Sequence, residues 1–123
     1  MINGVTTSVV IIDDHAGFRA AARRLLEAGG LCVLGEADSG EAGLTAVWTL
    51  RPDVVVLDIR LPGIDGFEVA TRLTHEGWNG EILLISSRPP RTVSFRPGDH
   101  VHGVLAKEDL SPEAVTALRG IAQ

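Results

Sequence analysis

The sequence predicts an α/β fold: a doubly wound, five-stranded parallel sheet with helices on both faces. Three observations carry this. The runs Val9-Val10-Ile11-Ile12, Val54-Val55-Val56-Leu57 and Ile82-Leu83-Leu84-Ile85 are apolar at every position and rich in β-branched residues. Strands buried on both faces read this way, whereas a half-exposed strand alternates. Between the runs lie segments with helical periodicity. The two patterns take turns along the chain, as successive strand–helix–strand units with right-handed crossovers require.

The first strand is Val9 to Ile12. After it, Phe18, Ala21, Ala22, Leu25 and Leu26 recur at helical spacing, and Gly29-Gly30 supplies a stop. A weaker apolar run, Leu31 to Glu36, is the second strand, and its Cys32 is expected to be a small buried hydrophobe. Ser39 can cap the next helix, with Ala42, Ala46, Val47 and Leu50 on one face and Pro52 closing it. Val54 to Leu57 is the third strand. Asp65 can cap a helix that turns Val69, Ala70 and Leu73 inward, with Gly77 past its end. Ile82 to Ile85 is the fourth strand and Val101 to Ala106 the fifth. Ser111-Pro112 opens the last helix, with a cap followed by proline at the first helical position. Its apolar face is Val115, Leu118, Ile121 and Ala122.

One crossover breaks the pattern. The stretch from Ser87 to His100 contains Pro89, Pro90, Pro97 and Gly98. A proline inside a helix costs about 3 kcal/mol, so the fourth crossover helix is expected to be shortened or absent, at most Arg91 to Arg96.

The chain has 123 residues, a single-domain length, with 45% apolar and 22% charged residues. It is expected to be one domain spanning residues 1–123. No apolar run approaches the length of a membrane span, and Met1 to Thr7 lacks the features of a secretion signal, so a cytoplasmic location is expected. The net charge is −5 and the eleven Lys and Arg residues are scattered. Direct nucleic-acid binding by this chain is therefore not expected, since it needs a basic footprint.

Open α/β sheets bind ligands beyond the carboxyl ends of their strands. There the first strand delivers Asp13-Asp14, the third Asp58, the fourth Ser86-Ser87 and the fifth Lys107. Two carboxylates about 4 Å apart repel by roughly 4 kcal/mol at an effective dielectric of 20, so three together call for a cation. An all-oxygen donor set suits Mg²⁺. A divalent ion beside a carboxylate and a lysine is an arrangement for phosphoryl transfer, and a carboxylate can itself be the nucleophile. With the strands ordered 2-1-3-4-5, Ser86 lies one strand from Asp58. Lys107 lies two strands away, about 10 Å, a gap that only a long cationic side chain bridges.

The segments Ile12-Asp13-Asp14-His15, Leu57-Asp58-Ile59-Arg60-Leu61-Pro62-Gly63-Ile64-Asp65-Gly66-Phe67-Glu68, Ile85-Ser86-Ser87 and Leu105-Ala106-Lys107 resemble the receiver domain of two-component response regulators, in particular the nitrate-response-type subgroup. The resemblance runs from about Ser8 to Ile121, apart from Ser87 to His100. It implies a flavodoxin-like strand order 2-1-3-4-5. It implies that Asp58 accepts phosphate from a histidine kinase, and that Asp13, Asp14, Asp58 and the backbone carbonyl of Arg60 hold Mg²⁺. Ser86 is then the switch hydroxyl, with Ser87 its rival, and Lys107 contacts the phosphoryl oxygens. Arg60 and Arg88 match variable positions that influence phosphate lifetime. Implied partners beyond the kinase are a second copy of the chain or a downstream effector protein. The chain would catalyse its own phosphorylation and slow dephosphorylation rather than turn over a substrate.

Two departures matter. Val104 stands where the family carries a switch aromatic, and the proline-rich segment replaces the fourth helix. They motivate a second reading, an atypical receiver acting as a phosphorylation-independent binding module. A phosphatase of the aspartyl-phosphate type would need its two aspartates to alternate, and a flavin carrier would need a Ser/Thr/Gly loop where Asp14-His15-Ala16-Gly17 stands. Among the other residues, His15 is either a neighbour of the metal or a residue of the loop–helix junction. His100 and His102 can share a strand face, but two histidines fall short of a usual zinc set. His75 reads as a solvated helix-end residue, and Trp48 and Trp78 read as packing.

Overall fold

The computed structural model describes residues 6–89 and 101–121. Its elements run β1 (Ser8–Ile12), α1 (Ala16–Ala28), β2 (Cys32–Ala37), α2 (Gly40–Leu50), β3 (Val54–Asp58), α3 (Gly66–His75), β4 (Glu81–Ser86), β5 (Val101–Ala106), a 3-10 turn (Lys107–Asp109) and α4 (Pro112–Ile121). The five strands form one sheet in the order β2-β1-β3-β4-β5, and every pairing is parallel.

The continuous apolar runs follow from burial on both faces. Successive side chains of a strand point to opposite sides. Val10, Ile12, Val55, Leu57, Ile82 and Leu84 pack on one side with Val47 of α2 and Val69 and Leu73 of α3. Val9, Ile11, Val54, Val56, Leu83 and Ile85 pack on the other with Ala22 and Leu26 of α1 and Val115 and Leu118 of α4. Each fully buried Val, Leu or Ile contributes about 1.5–3 kcal/mol, so the three central strands hold the molecule together.

The caps form where expected. Ser39 Oγ accepts from Ala42 N at 3.1 Å, Asp65 Oδ1 from Glu68 N at 2.9 Å, and Ser111 Oγ from Ala114 N at 3.1 Å. Gly77 has φ of 87°, a left-handed conformation that glycine adopts without strain.

Three expectations need correction or limits. Cys32 is exposed, not buried. β2 pairs only with β1 and so is an edge strand; Leu31 and Val33 turn inward while Cys32 and Leu34 turn outward. The inward face of α2 is Gly40, Gly43 and Val47, with Leu44 and Ala46 beside it; Ala42 and Leu50 are exposed. The Arg91 to Arg96 segment and His100 lie outside the described residues. Among the described residues there are four α-helices, none between β4 and β5.

The two tryptophans pack as expected. Trp78 is buried, and Trp48 lies against the core while its indole N–H donates to Glu76 Oε1 at 2.9 Å. His75 is exposed in the last turn of α3. His102 meets the buried carboxylate of Glu81 at the opposite end of the sheet from the strand-end aspartates.

Candidate functional site

The backbone at the carboxyl ends of β1 and β3 is held in place before any side chain acts. Asp13 N donates to Ala37 O at 3.0 Å, continuing the β1–β2 ladder by one residue. Arg19 Nη1 donates to the Asp13 carbonyl at 2.6 Å, while Arg19 and Arg23 both pair with Glu36 on β2. The first turn of α1 is thus tied to the end of β1. On the other side, Gly66 N donates to Ile59 O at 3.0 Å. A Cβ on Gly66 would lie 2.3 Å from the Asp58 carbonyl oxygen. Only glycine lets the start of α3 come this close to the end of β3.

Three side chains from distant elements then converge. Lys107 follows β5, yet its Nζ lies 2.6 Å from Asp13 Oδ2 and 3.2 Å from Asp58 Oδ2. Asp13 is fully buried, and Asp58 is 3% exposed. The Lys107–Asp13 contact is the shorter of the two ion pairs. Asp13 Oδ1 accepts from His15 N at 2.8 Å, and Asp58 Oδ1 from Arg60 N at 3.0 Å. Both aspartates close the turn that follows their strand.

The electrostatics divide the two partners. Burial pushes the Asp58 carboxyl above the ordinary carboxylate value. The Arg60 N–H pulls it down, Asp13 raises it and Lys107 lowers it, leaving a net rise. Burial works against the Lys107 ammonium too, but Asp13 and Asp58 together outweigh it, so the lysine binds its proton more tightly than usual.

Asp14 stands at the rim of the site. The imidazole of His15 bridges it to Asp13: Nδ1 is 3.1 Å from Asp14 Oδ1 and 3.3 Å from Asp13 Oδ1. His15 is also the residue preceding α1, which bears out its reading as a residue of the loop–helix junction. Ligand atoms of Asp13, Asp14, His15 and Asp58 all lie within 4.8 Å of one another. Three carboxylates against one ammonium leave two negative charges, and the donors are mainly carboxylate oxygens. That set fits a hard divalent cation.

Ser86 and Ser87 separate cleanly. Ser86 is fully buried and its Oγ accepts from Arg88 N at 3.1 Å; Ser87 is exposed. Asp58 is in register with Ile85 on β4, so Ser86 stands one residue beyond it on the neighbouring strand. Val104 is half-buried against the core and in register with Leu84. Arg60 and Arg88 are exposed at the rim.

The family model described as the response regulator receiver domain matches residues 9–116. The chain belongs to that family. It is 36% identical over 114 residues to BvgA of Bordetella pertussis, a positive transcription regulator of virulence factors; the match covers 92% of this chain and 54% of BvgA. It is 33% identical over 87 residues to the nitrate/nitrite response regulator protein NarL of Escherichia coli, covering 70% of this chain and 40% of NarL. The chain therefore spans about half or less of the length of these relatives. Among solved structures, the signal receiver domain of NarL from Mycobacterium tuberculosis superposes with a TM-score of 0.77 at 34% identity, covering 95% of this chain and 96% of that one. The fold and strand order of the receiver are those described above. Among the described residues, no helix is long and apolar enough to cross a membrane.

Sequence reasoning missed three features of this receiver's site. It assigned Asp13 to metal alone, not to Lys107. It placed Phe18 only in the core, although its ring centroid lies 4.7 Å from Lys107 Nζ. It gave no role to Arg19. The available signal was position: both residues fall in the first turn of α1, directly after the aspartate pair.

Proposed function

We propose that this receiver accepts a phosphoryl group on Asp58 from the phosphohistidine of a sensor histidine kinase. The observation that carries the reading is the convergence of Asp13, Asp58 and Lys107 from three separate strands onto one ammonium. In the transfer, an Asp58 oxygen bonds to phosphorus as the phosphorus–nitrogen bond breaks, and the departing imidazole takes up a proton. Lys107 then faces the added negative charge on the phosphoryl oxygens. Its tightly held proton keeps it a cation for that task.

Asp13, Asp14, Asp58 and the Arg60 carbonyl are the groups that would hold Mg²⁺. The ion supplies charge neutralisation for the incoming phosphoryl group. Ser86, buried beside Asp58 on the next strand, is the switch hydroxyl in this reading, and Arg60 and Arg88 at the rim govern access of water to the phosphorylated site. Residues 1–123 would act as one unit in the cytoplasm. Its output would pass to a second copy of the chain or to a downstream effector protein, without direct nucleic-acid binding by this chain.

Intact-mass spectrometry after incubation with acetyl phosphate and Mg²⁺ tests the assignment. The wild type should gain one acid-labile phosphoryl group and Asp58→Asn none; equal gain by both excludes Asp58. A second reading, a phosphorylation-independent binding module, is favoured by one observation. Val104 offers no ring to follow a movement of Ser86. A wild-type mass unchanged by donor and Mg²⁺ selects that reading.

A further inference from the structure

Lys107 follows the edge strand β5, whose residues are only partly buried, yet its own side chain is just 13% exposed. Two sides of its ammonium face the Asp13 and Asp58 carboxylates. The Phe18 ring lies beside it as well, its centroid 4.7 Å from Nζ, within the range of a cation–π contact. The ring is well anchored. Phe18 packs against the core that contains Val9, Ile11 and Leu26, and the next residue, Arg19, is bonded to the Asp13 carbonyl.

We propose that Phe18 is a positioning residue: its ring face holds the Lys107 ammonium between Asp13 and Asp58 before any phosphoryl group arrives. For its effect on phosphorylation, this rests on the reading of Asp58 given above. The physical case is one of desolvation. A buried ammonium loses water on every side, and carboxylates replace it only in their own directions. An aliphatic side chain at residue 18 would fill the space but offer no negative face. The aromatic quadrupole does, and it also denies the ammonium the looser positions open to a long, flexible side chain. A donor would then meet a cation already in place, which is how pre-set electrostatics speed a transfer.

The test uses Phe18→Leu and Phe18→Tyr. The first signature is structural. By NMR, the Lys107 ε-methylene protons of the wild type should be shifted upfield by the ring current. Phe18→Leu should lose that shift and Phe18→Tyr should keep it. The second is kinetic. With acetyl phosphate and Mg²⁺, Phe18→Leu should be phosphorylated about five-fold more slowly, the scale of one cation–π contact, and Phe18→Tyr should recover the rate. Urea unfolding of both variants separates this from general loss of structure: Phe18→Leu must remain folded while its rate falls. Unshifted Lys107 protons in the wild type overturn the proposal. So does a folded Phe18→Leu that takes phosphate at the wild-type rate. A ring-shifted Lys107 in a wild type that takes no phosphate supports the positioning contact and instead rejects the role of Asp58.

Discussion

Replacing Lys107 with methionine keeps the length of the side chain and removes its charge. The pairs at 2.6 and 3.2 Å carry gross attractions of about 6 and about 5 kcal/mol at an effective dielectric of 20. Lys107 is mostly buried, so several kcal/mol of that attraction is offset by its own desolvation. Removing one partner of a buried pair then costs about 3–5 kcal/mol, because the other charge stays buried without compensation. Here two carboxylates are left, facing each other.

The molecule has one escape, which gives the prediction its shape. Asp58 already binds its proton more tightly in the folded state than a free carboxyl does. Losing Lys107 removes an influence that lowers its pKa, so the rise grows. A carboxyl with a raised folded-state pKa binds more protons folded than unfolded, so stability increases as pH falls through the window between the raised value and the unfolded one. Lys107 itself adds no slope in this range; its pKa is raised, and the stability it contributes is lost only at a pH above the ordinary lysine value. Urea unfolding of both proteins at about pH 7.5 and about pH 5 should show the Lys107→Met deficit shrinking at the lower pH. Added Mg²⁺ should shrink it at the higher pH. A deficit equal at both pH values and indifferent to Mg²⁺ would refute the reasoning and make Lys107 an ordinary packing residue.

Two further outcomes follow from the same geometry. Asp58→Asn should unfold at a higher urea concentration than wild type near neutral pH without divalent ions, since the ionised carboxylate is disfavoured there; the advantage should fade toward pH about 5, and a variant less stable at neutral pH contradicts the raised pKa. Gly66→Ala should cost about 1–3 kcal/mol in thermal or urea unfolding, because the added carbon meets the Asp58 carbonyl oxygen at 2.3 Å and the Ile59 Cα at 2.7 Å, and neither backbone atom can move aside without distorting the site; an unchanged midpoint would show that α3 is free to shift.

The sheet was legible because of a single physical condition, burial on both faces. It makes the central strands apolar at every position, and Val9 to Ile12, Val54 to Leu57 and Ile82 to Ile85 obey it. Where the condition lapses, so does the signal. β2 has one neighbour, and Cys32 lies on its outward side. The face of α2 was misread for a related reason. Hydrophobicity ranks Ala42 and Leu50 above glycine, but the buried side of α2 carries Gly40 and Gly43; a Cβ on Gly43 would meet Ile12 Cδ1 at 2.5 Å, and one on Gly40 would meet Ile64 Cγ1 at 2.5 Å. Close approach selects the absence of a side chain, which no apolar period can reveal.

The site divides along a similar line. Strand ends nominated Asp13, Asp14, Asp58 and Lys107, but strand spacing alone ranks their contacts wrongly. Lys107 is separated from β1 by three strand spacings, about 14 Å, and from β3 by two, about 10 Å. Its ammonium is nevertheless nearer to Asp13, at 2.6 Å, than to Asp58, at 3.2 Å. Side-chain direction reverses the order. Successive residues at a strand end point to opposite sides. Asp13 turns inward and is fully buried, whereas the side chain of Asp14 is 36% exposed and meets His15 at the rim. The two adjacent aspartates are therefore not equivalent. Asp13 is the internal counter-charge beside Lys107, and Asp14 is the more exposed of the two carboxylates.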